Sequence, residues 1–170
     1  MSVSGRHTGL PAGQSKSDLL QVLQDLGRKG LGLTPSAFDL LMFLCRRANR
    51  VDFLHGSICT SWMRVGRIAR EIGISERSIN NAQRELRTEG FIKITTSANG
   101  ARWGERVDGQ IRWASGLSLA PTIKRFAELT KTRDQKISET VAISELQAEI
   151  RRLRSNLLSS GLIPTFGARA

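Results

Sequence analysis

The sequence predicts a mainly α protein with a small β-wing, an α+β class, and three observations carry that expectation. Apolar residues recur at helical spacing from residue 18 to residue 88. Within that run Gly73 separates two short helical patterns by a turn only a few residues long. Beyond Gly90 the pattern changes to alternation, with Asp108-Gly109 between two extended runs.

Taken in order, residues 1–17 are polar and rich in Ser and Gly, and read as a flexible segment. In "SDLLQVLQDLGRKG" the apolar set Leu19, Leu20, Val22, Leu23 and Leu26 makes a short helix, with Ser17 as its N-cap and glycine at its end. "TPSAFDLLMFLCRRANR" puts Thr34 at an N-cap and Pro35 at the first helical position, where a missing N–H leaves no bond unmade. Phe38, Leu41, Met42 and Cys45 then share one core-facing side. "SICTSW" reads as a short strand, and Ser61 as the cap of "WMRVGRIAREIG", in which Trp62, Val65, Ala69 and Ile72 face one way. Gly73 stops that helix, Ile74 packs the turn and Ser75 caps the next helix. Ile79, Ala82 and Leu86 form its buried stripe until Gly90. Two helices, a tight glycine turn and inward apolar residues make a helix-turn-helix.

"FIKITT" then alternates, Asn99-Gly100 marks a turn, "RWGERV" leads into Asp108-Gly109, and "QIRWASGLSL" continues as extended chain. Residues 18–131 therefore read as a winged helix-turn-helix. Residues 132–170 read as a helical tail that ends in a frayed "GLIPTFGARA".

Charge points to the partner. The 170 residues carry 26 Lys and Arg against 15 Asp and Glu, a net +11. Met1–Thr60, Ser61–Trp113 and Ala114–Ala170 contribute +3, +4 and +4, so the fold rather than a tail presents the charge. A polyanion such as nucleic acid is the expected partner. No stretch reaches the roughly 18 apolar residues a spanning helix needs, and the polar start has no signal-peptide centre. A cytoplasmic protein that meets no membrane is expected. Cys45 and Cys59 with His7 and His55 complete no zinc spacing, so buried, reduced thiols and no metal or cofactor are expected.

Helix geometry selects the residues that would meet DNA. At about 100° per residue, a core face centred on Ile79 and Leu86 puts Arg77, Asn81, Arg84 and Thr88 on the opposite side, with Asn80 and Arg87 flanking and Ser75 at the start. Arg can donate twice to guanine, Asn can give and take with adenine, and Thr can meet a base or the thymine methyl. Glu76 and Glu85 lower the local charge, as suits a helix that discriminates among sequences. Arg64 and Arg67 on the preceding helix, and Lys93, Arg102, Arg106 and Arg112 on or near the wing, are placed to take phosphates. Trp103 and Trp113 are expected to pack against the covered face of the hairpin.

The order of motifs after the reading helix is more specific than a general winged helix: "EGFI", then "NGARW", then "GQI", then "GLSLAP". From about Asp18 to Lys131 the chain resembles the amino-terminal domain of plasmid replication initiators of the RepC family. The resemblance implies a DNA-binding domain that recognises a plasmid replication origin. Family initiators are longer and carry a second domain after the helix, for which this sequence has no counterpart. A transcription regulator using the same winged helix on a promoter is the alternative.

In the tail, Ile143, Leu146, Ile150, Leu153 and Leu157 recur at the alternating spacing of a heptad seam. The seam fits either a homodimer or a helix folded onto its own domain. Catalysis is not expected. The sequence contains no tyrosine, which removes the phosphotyrosine chemistry of nicking initiators and recombinases. It also has no "GxxxxGK[ST]" phosphate loop.

Overall fold

A computed structural model describes residues 5–96 and 100–162. The chain divides into two units, Met1–Arg133 and Asp134–Ala170.

The first unit opens with α1 (Lys16–Leu31), whose N-terminus is closed by Ser15 and Asp18 rather than by Ser17. Asp18 Oδ2 accepts the Ser15 N–H at 2.6 Å, so the cap lies two residues earlier than the apolar pattern marks it. Helical geometry breaks at Gly27. Pro35 does start α2 (Pro35–Arg47). A short 3₁₀ turn at Arg50–Phe53 leads to β1 (Thr60–Ser61).

Next come α3 (Val65–Ile72) and α4 (Glu76–Thr88), then β2 (Lys93–Ile94), the hairpin strands β3 (Trp103–Val107) and β4 (Gln110–Ser115), and β5 (Leu117–Ser118). Ser61 is not the cap of α3. It pairs with Leu117 in the sheet, and the helix starts only at Val65, after Arg64. The short sheet runs β1-β5-β2, all antiparallel. The chain between β2 and β5 doubles back as β3-β4, closed by Asp108 and Gly109 at φ 49° and 79°. This is a winged helix-turn-helix, an α+β fold. The expected Asn99-Gly100 turn lies partly outside the described residues.

Among the described residues, Leu19, Leu23, Leu26, Leu40, Leu41, Leu44, Ile68, Ile79, Leu86, Phe91, Leu117 and Ile123 are the large side chains sealed in the core. Each contributes about 1.5–3 kcal/mol by leaving water. They come from α1 to α4, the short sheet and the chain that flanks it, and they pack α4 on α2 and α3. Cys45 and Cys59 are free and buried among them, and burial pushes the Cys45 thiol up to about 12.

The described part of the segment read as flexible is tied down. Arg6 bridges to Ile58, the His7 N–H donates to Ser57 O at 3.1 Å, and the Leu10 N–H donates to Phe53 O at 3.1 Å.

After α5 (Ala120–Lys124), α6 runs from Phe126 to Ser159. Within the first unit Phe126 and Leu129 are buried. In the second unit, every described residue is exposed.

Candidate nucleic-acid interface

Gly73 and Ser75 set the turn. Gly73 has φ 85°, where a Cβ is strained, and its N–H donates to Ala69 O at 2.8 Å. Ile74 donates to the same carbonyl at 3.1 Å. Ser75 Oγ accepts the Ser78 N–H at 3.1 Å and so supplies the acceptor that starts α4. From there α4 buries Ile79, Ala82, Gln83 and Leu86. Arg77, Asn80, Asn81, Arg84, Arg87 and Thr88 are all exposed. Arg84 Nη2 donates to Asn81 Oδ1 at 3.1 Å, holding the two heads together one turn apart. That bond leaves Arg84 most of its donors and Asn81 its amide NH₂.

On α3, Arg64 stands exposed at the N-cap. Arg67 Nε reaches Glu71 at 3.1 Å, and Arg47 reaches the same carboxylate at 3.3 Å. Arg70 Nε donates to Gly66 O at 3.3 Å. Exposed pairs of this kind hold by less than about 1 kcal/mol, so Arg47 and Arg67 can exchange Glu71 for another anion. A cleft of about 920 Å³ runs alongside, lined by Arg47, Thr60, Trp62, Arg64, Arg67 and Arg106 among others.

The hairpin is built differently. Its inner side sits on Trp62 at Gly104, where an added Cβ would lie 2.3 Å from the indole. Arg106 forms a two-pronged bond with Asp52, each prong 2.8 Å, and also donates to Gly109 O at 2.6 Å. Asp52 is 2% exposed, and its hydrogen bonds raise the pKa of Arg106. Arg102 donates to Met63 O at 2.7 Å and to Gln83 Oε1 at 2.8 Å, and burial lowers its pKa. On the outer side Trp103 and Trp113 are exposed by 53% and 49%. The Trp113 indole N–H donates to Glu105 Oε2 at 3.1 Å.

A family model, the replication protein C N-terminal domain, matches residues 3–161. The chain belongs to that family. A solved structure described as disulfide-formed AbfR is similar, with a TM-score of 0.37 and 15% identity over 86% of this chain and 85% of that one. No curated protein matches.

In this replication protein C N-terminal domain the residues read from sequence separate into two sets. Ser75, Arg77, Asn80, Asn81, Arg84, Arg87 and Thr88 gather on α4 and its cap, with Arg64 and Arg67 beside them on α3 and Lys93 exposed on the edge strand β2. Arg102 and Arg106 do not join them. Their heads bond Met63, Gln83 and Asp52 and so tie the wing to the rest of the first unit, instead of standing free as the α4 cations do. Trp103 and Trp113 do not cover the hairpin's inner face either, because Gly104 brings Trp62 there instead. Glu85 also has a structural partner. Its two oxygens accept the Thr34 N–H at 2.8 Å and hydroxyl at 2.6 Å, which caps α2 from a distance.

Sequence reasoning missed Asp52, Gln83 and Arg47. An isolated acid between Val51 and Phe53 is the one local sign that Asp52 is buried, and nothing adjacent marks the other two.

Proposed function

We propose that this chain binds double-stranded DNA sequence-specifically, as the origin-reading part of a plasmid replication initiator, in the cytoplasm and without catalysis or cofactor. The observation that carries the reading is the outer face of α4. Its Arg, Asn and Thr heads are exposed together while the opposite stripe is sealed in the core. A rigid helix with that chemistry fits the major groove, where Arg selects guanine and Asn selects adenine. Arg64, Arg67 and Lys93 beside it supply phosphate contacts that set position rather than sequence. Membership of the replication protein C family supports an origin as the target over a promoter.

The reading extends to a second copy of the chain, held through the exposed seam Ile143, Leu146, Ile150, Leu153 and Leu157.

Genome-wide footprinting of the full chain tests the target. A dominant peak at a plasmid origin is expected. Peaks spread over promoters would replace the initiator reading with a regulator, and uniform coverage would remove sequence-specific binding.

A further inference from the structure

We infer that α6 pairs with α6 of a second copy of this chain as a parallel, in-register, two-stranded coiled coil. The inference rests on the dimer reading above and adds direction and register to it.

The helix is continuous across the seam. Ile143, Leu146, Ile150, Leu153 and Leu157 on it are exposed by 55%, 65%, 63%, 49% and 40%. Their spacing assigns Ile143, Ile150 and Leu157 to heptad position a, and Leu146 and Leu153 to d. Two of the three a residues, Ile143 and Ile150, are β-branched and both d residues are Leu, a pattern that favours two parallel strands because it suits the side-chain angles of a parallel dimer; Leu157 departs from it at the last a position.

Layer matching points the same way. In a parallel pair each seam residue meets its own counterpart, so all five layers are apolar. An antiparallel pair matches a with d, and each of its two best alignments loses a layer. One puts Leu157 against Glu139, the other Ile143 against Ser160.

Charge decides between them independently. Glu149 falls at position g and Arg154 at position e. Parallel packing sets each g beside the e five residues on in the other chain, so Glu149 meets Arg154 of the second copy, twice per dimer. In the first antiparallel alignment Glu149 faces Glu149, and in the second it faces Asn156. Glu149 already accepts from Arg152 of its own chain at 2.6 and 3.0 Å, on the side of the helix away from the seam. Its oxygens retain lone pairs for a further donor. A parallel pair has consequences for DNA, since both chains then leave the seam toward their first units from the same end.

The test uses the full chain with charge reversals and a cysteine. Sedimentation equilibrium should show a dimer. Glu149→Arg and Arg154→Glu should each weaken it about tenfold, since two attractive pairs become repulsive. The double variant carrying both should return to the unmodified constant, although it does not restore the bond to Arg152. In glutathione buffer Ile143→Cys should cross-link to itself. A chain that stays monomeric up to its solubility limit while still binding DNA overturns the dimer and its geometry together, and leaves the DNA reading standing. A dimer in which the double reversal does not rescue, or in which Ile143→Cys links to Ser160→Cys instead of to itself, overturns the parallel arrangement alone.

Discussion

On α4 the heads of Arg77, Arg84 and Arg87 end in solvent, whereas at the start of the hairpin Arg102, and on β3 Arg106, end on buried acceptors of the protein. Both regions are basic, and both follow the pattern expected of a DNA-binding surface. The difference lies in what waits at the end of each side chain. The inward positions of α4 are apolar apart from Gln83, whose Oε1 accepts from Arg102 and not from the helix's own outward cations. The inner side of the wing lies over Asp52, whose buried charge has, among the described residues, only the Asn49 N–H beside it, and over Gln83 Oε1, and a guanidinium bonds each. A basic residue on the wing is therefore held by the protein itself where a buried acceptor lies beneath it.

The largest effect that can break this comparison is at Arg106. Arg106→Ala strands the Asp52 carboxylate, which is 2% exposed, and an unpaired buried charge costs about 3–5 kcal/mol. Urea denaturation should show the loss directly. Adding Asp52→Asn to that variant should recover part of it by removing the stranded charge. If Arg106→Ala unfolds at the unmodified midpoint and only DNA affinity falls, the wing arginine is a DNA contact and the contrast with α4 disappears.

Arg102 sharpens the same point at smaller scale. Arg102→Ala removes the donor to Gln83 Oε1 and to Met63 O, and a buried acceptor left alone costs about 1–3 kcal/mol. Arg102→Lys should not rescue it, because a single ammonium cannot span two acceptors set for a planar fork.

These two arginines mark where the sequence stops being legible. Most of the fold is written locally. Gly73 and Ser75 announce the helix-turn-helix, Pro35 starts α2, and Asp108-Gly109 closes the hairpin, each through backbone preferences of the residue itself. The outer face of α4 is legible too, since helical spacing alone opposes Asn81 and Arg84 to Ile79 and Leu86.

Partnerships across the chain are not written that way. Arg106 meets a carboxylate 54 residues earlier, and Glu85 meets a helix start 51 residues earlier. Neither separation leaves a periodic trace. Alternation along β3 shows that the hairpin has two faces without saying which is covered. Gly104 decides that, because only a residue without a Cβ lets Trp62 approach.

On α4 the expected effect moves from stability to recognition. Asn81→Ala and Arg84→Ala should each cost about 1–3 kcal/mol on the preferred site, the worth of a good bidentate base contact. Both side chains are exposed, so unfolding free energies should stay within about 0.5 kcal/mol. Ile79→Ala reverses the pattern, since a buried Ile truncated to Ala costs about 2–5 kcal/mol of stability. Selection from randomised duplexes should show relaxed preference at a different base pair for each outward variant. The mutual bond between Asn81 and Arg84 further predicts that the two losses are not additive. If both variants select the unmodified motif while remaining folded, α4 does not read bases, and its face is as structural as the wing's inner side.

The smallest effect separates free from committed cations by counting phosphates. Each phosphate neutralised steepens the fall of log affinity with log salt by about 0.9, so one lost contact changes the affinity ratio between 50 and 200 mM salt by about 3.5-fold. Arg87 is exposed on α4, and Arg112 is the exposed arginine of the hairpin. Arg87→Ala and Arg112→Ala should each lower the slope by that amount on specific and random duplexes alike, because a phosphate contact carries no base information. Arg102→Lys should leave the slope unchanged, since the Arg102 head is held by Met63 and Gln83 and neutralises no phosphate. Fluorescence anisotropy titrations of the same labelled duplex at several salt concentrations measure all three. An unchanged slope for Arg112→Ala would withdraw the whole wing from the DNA and leave recognition to α3 and α4. A reduced slope for Arg102→Lys would mean that Arg102 leaves Gln83 when DNA is bound, and the wing would then be a surface that rearranges on binding rather than a fixed support.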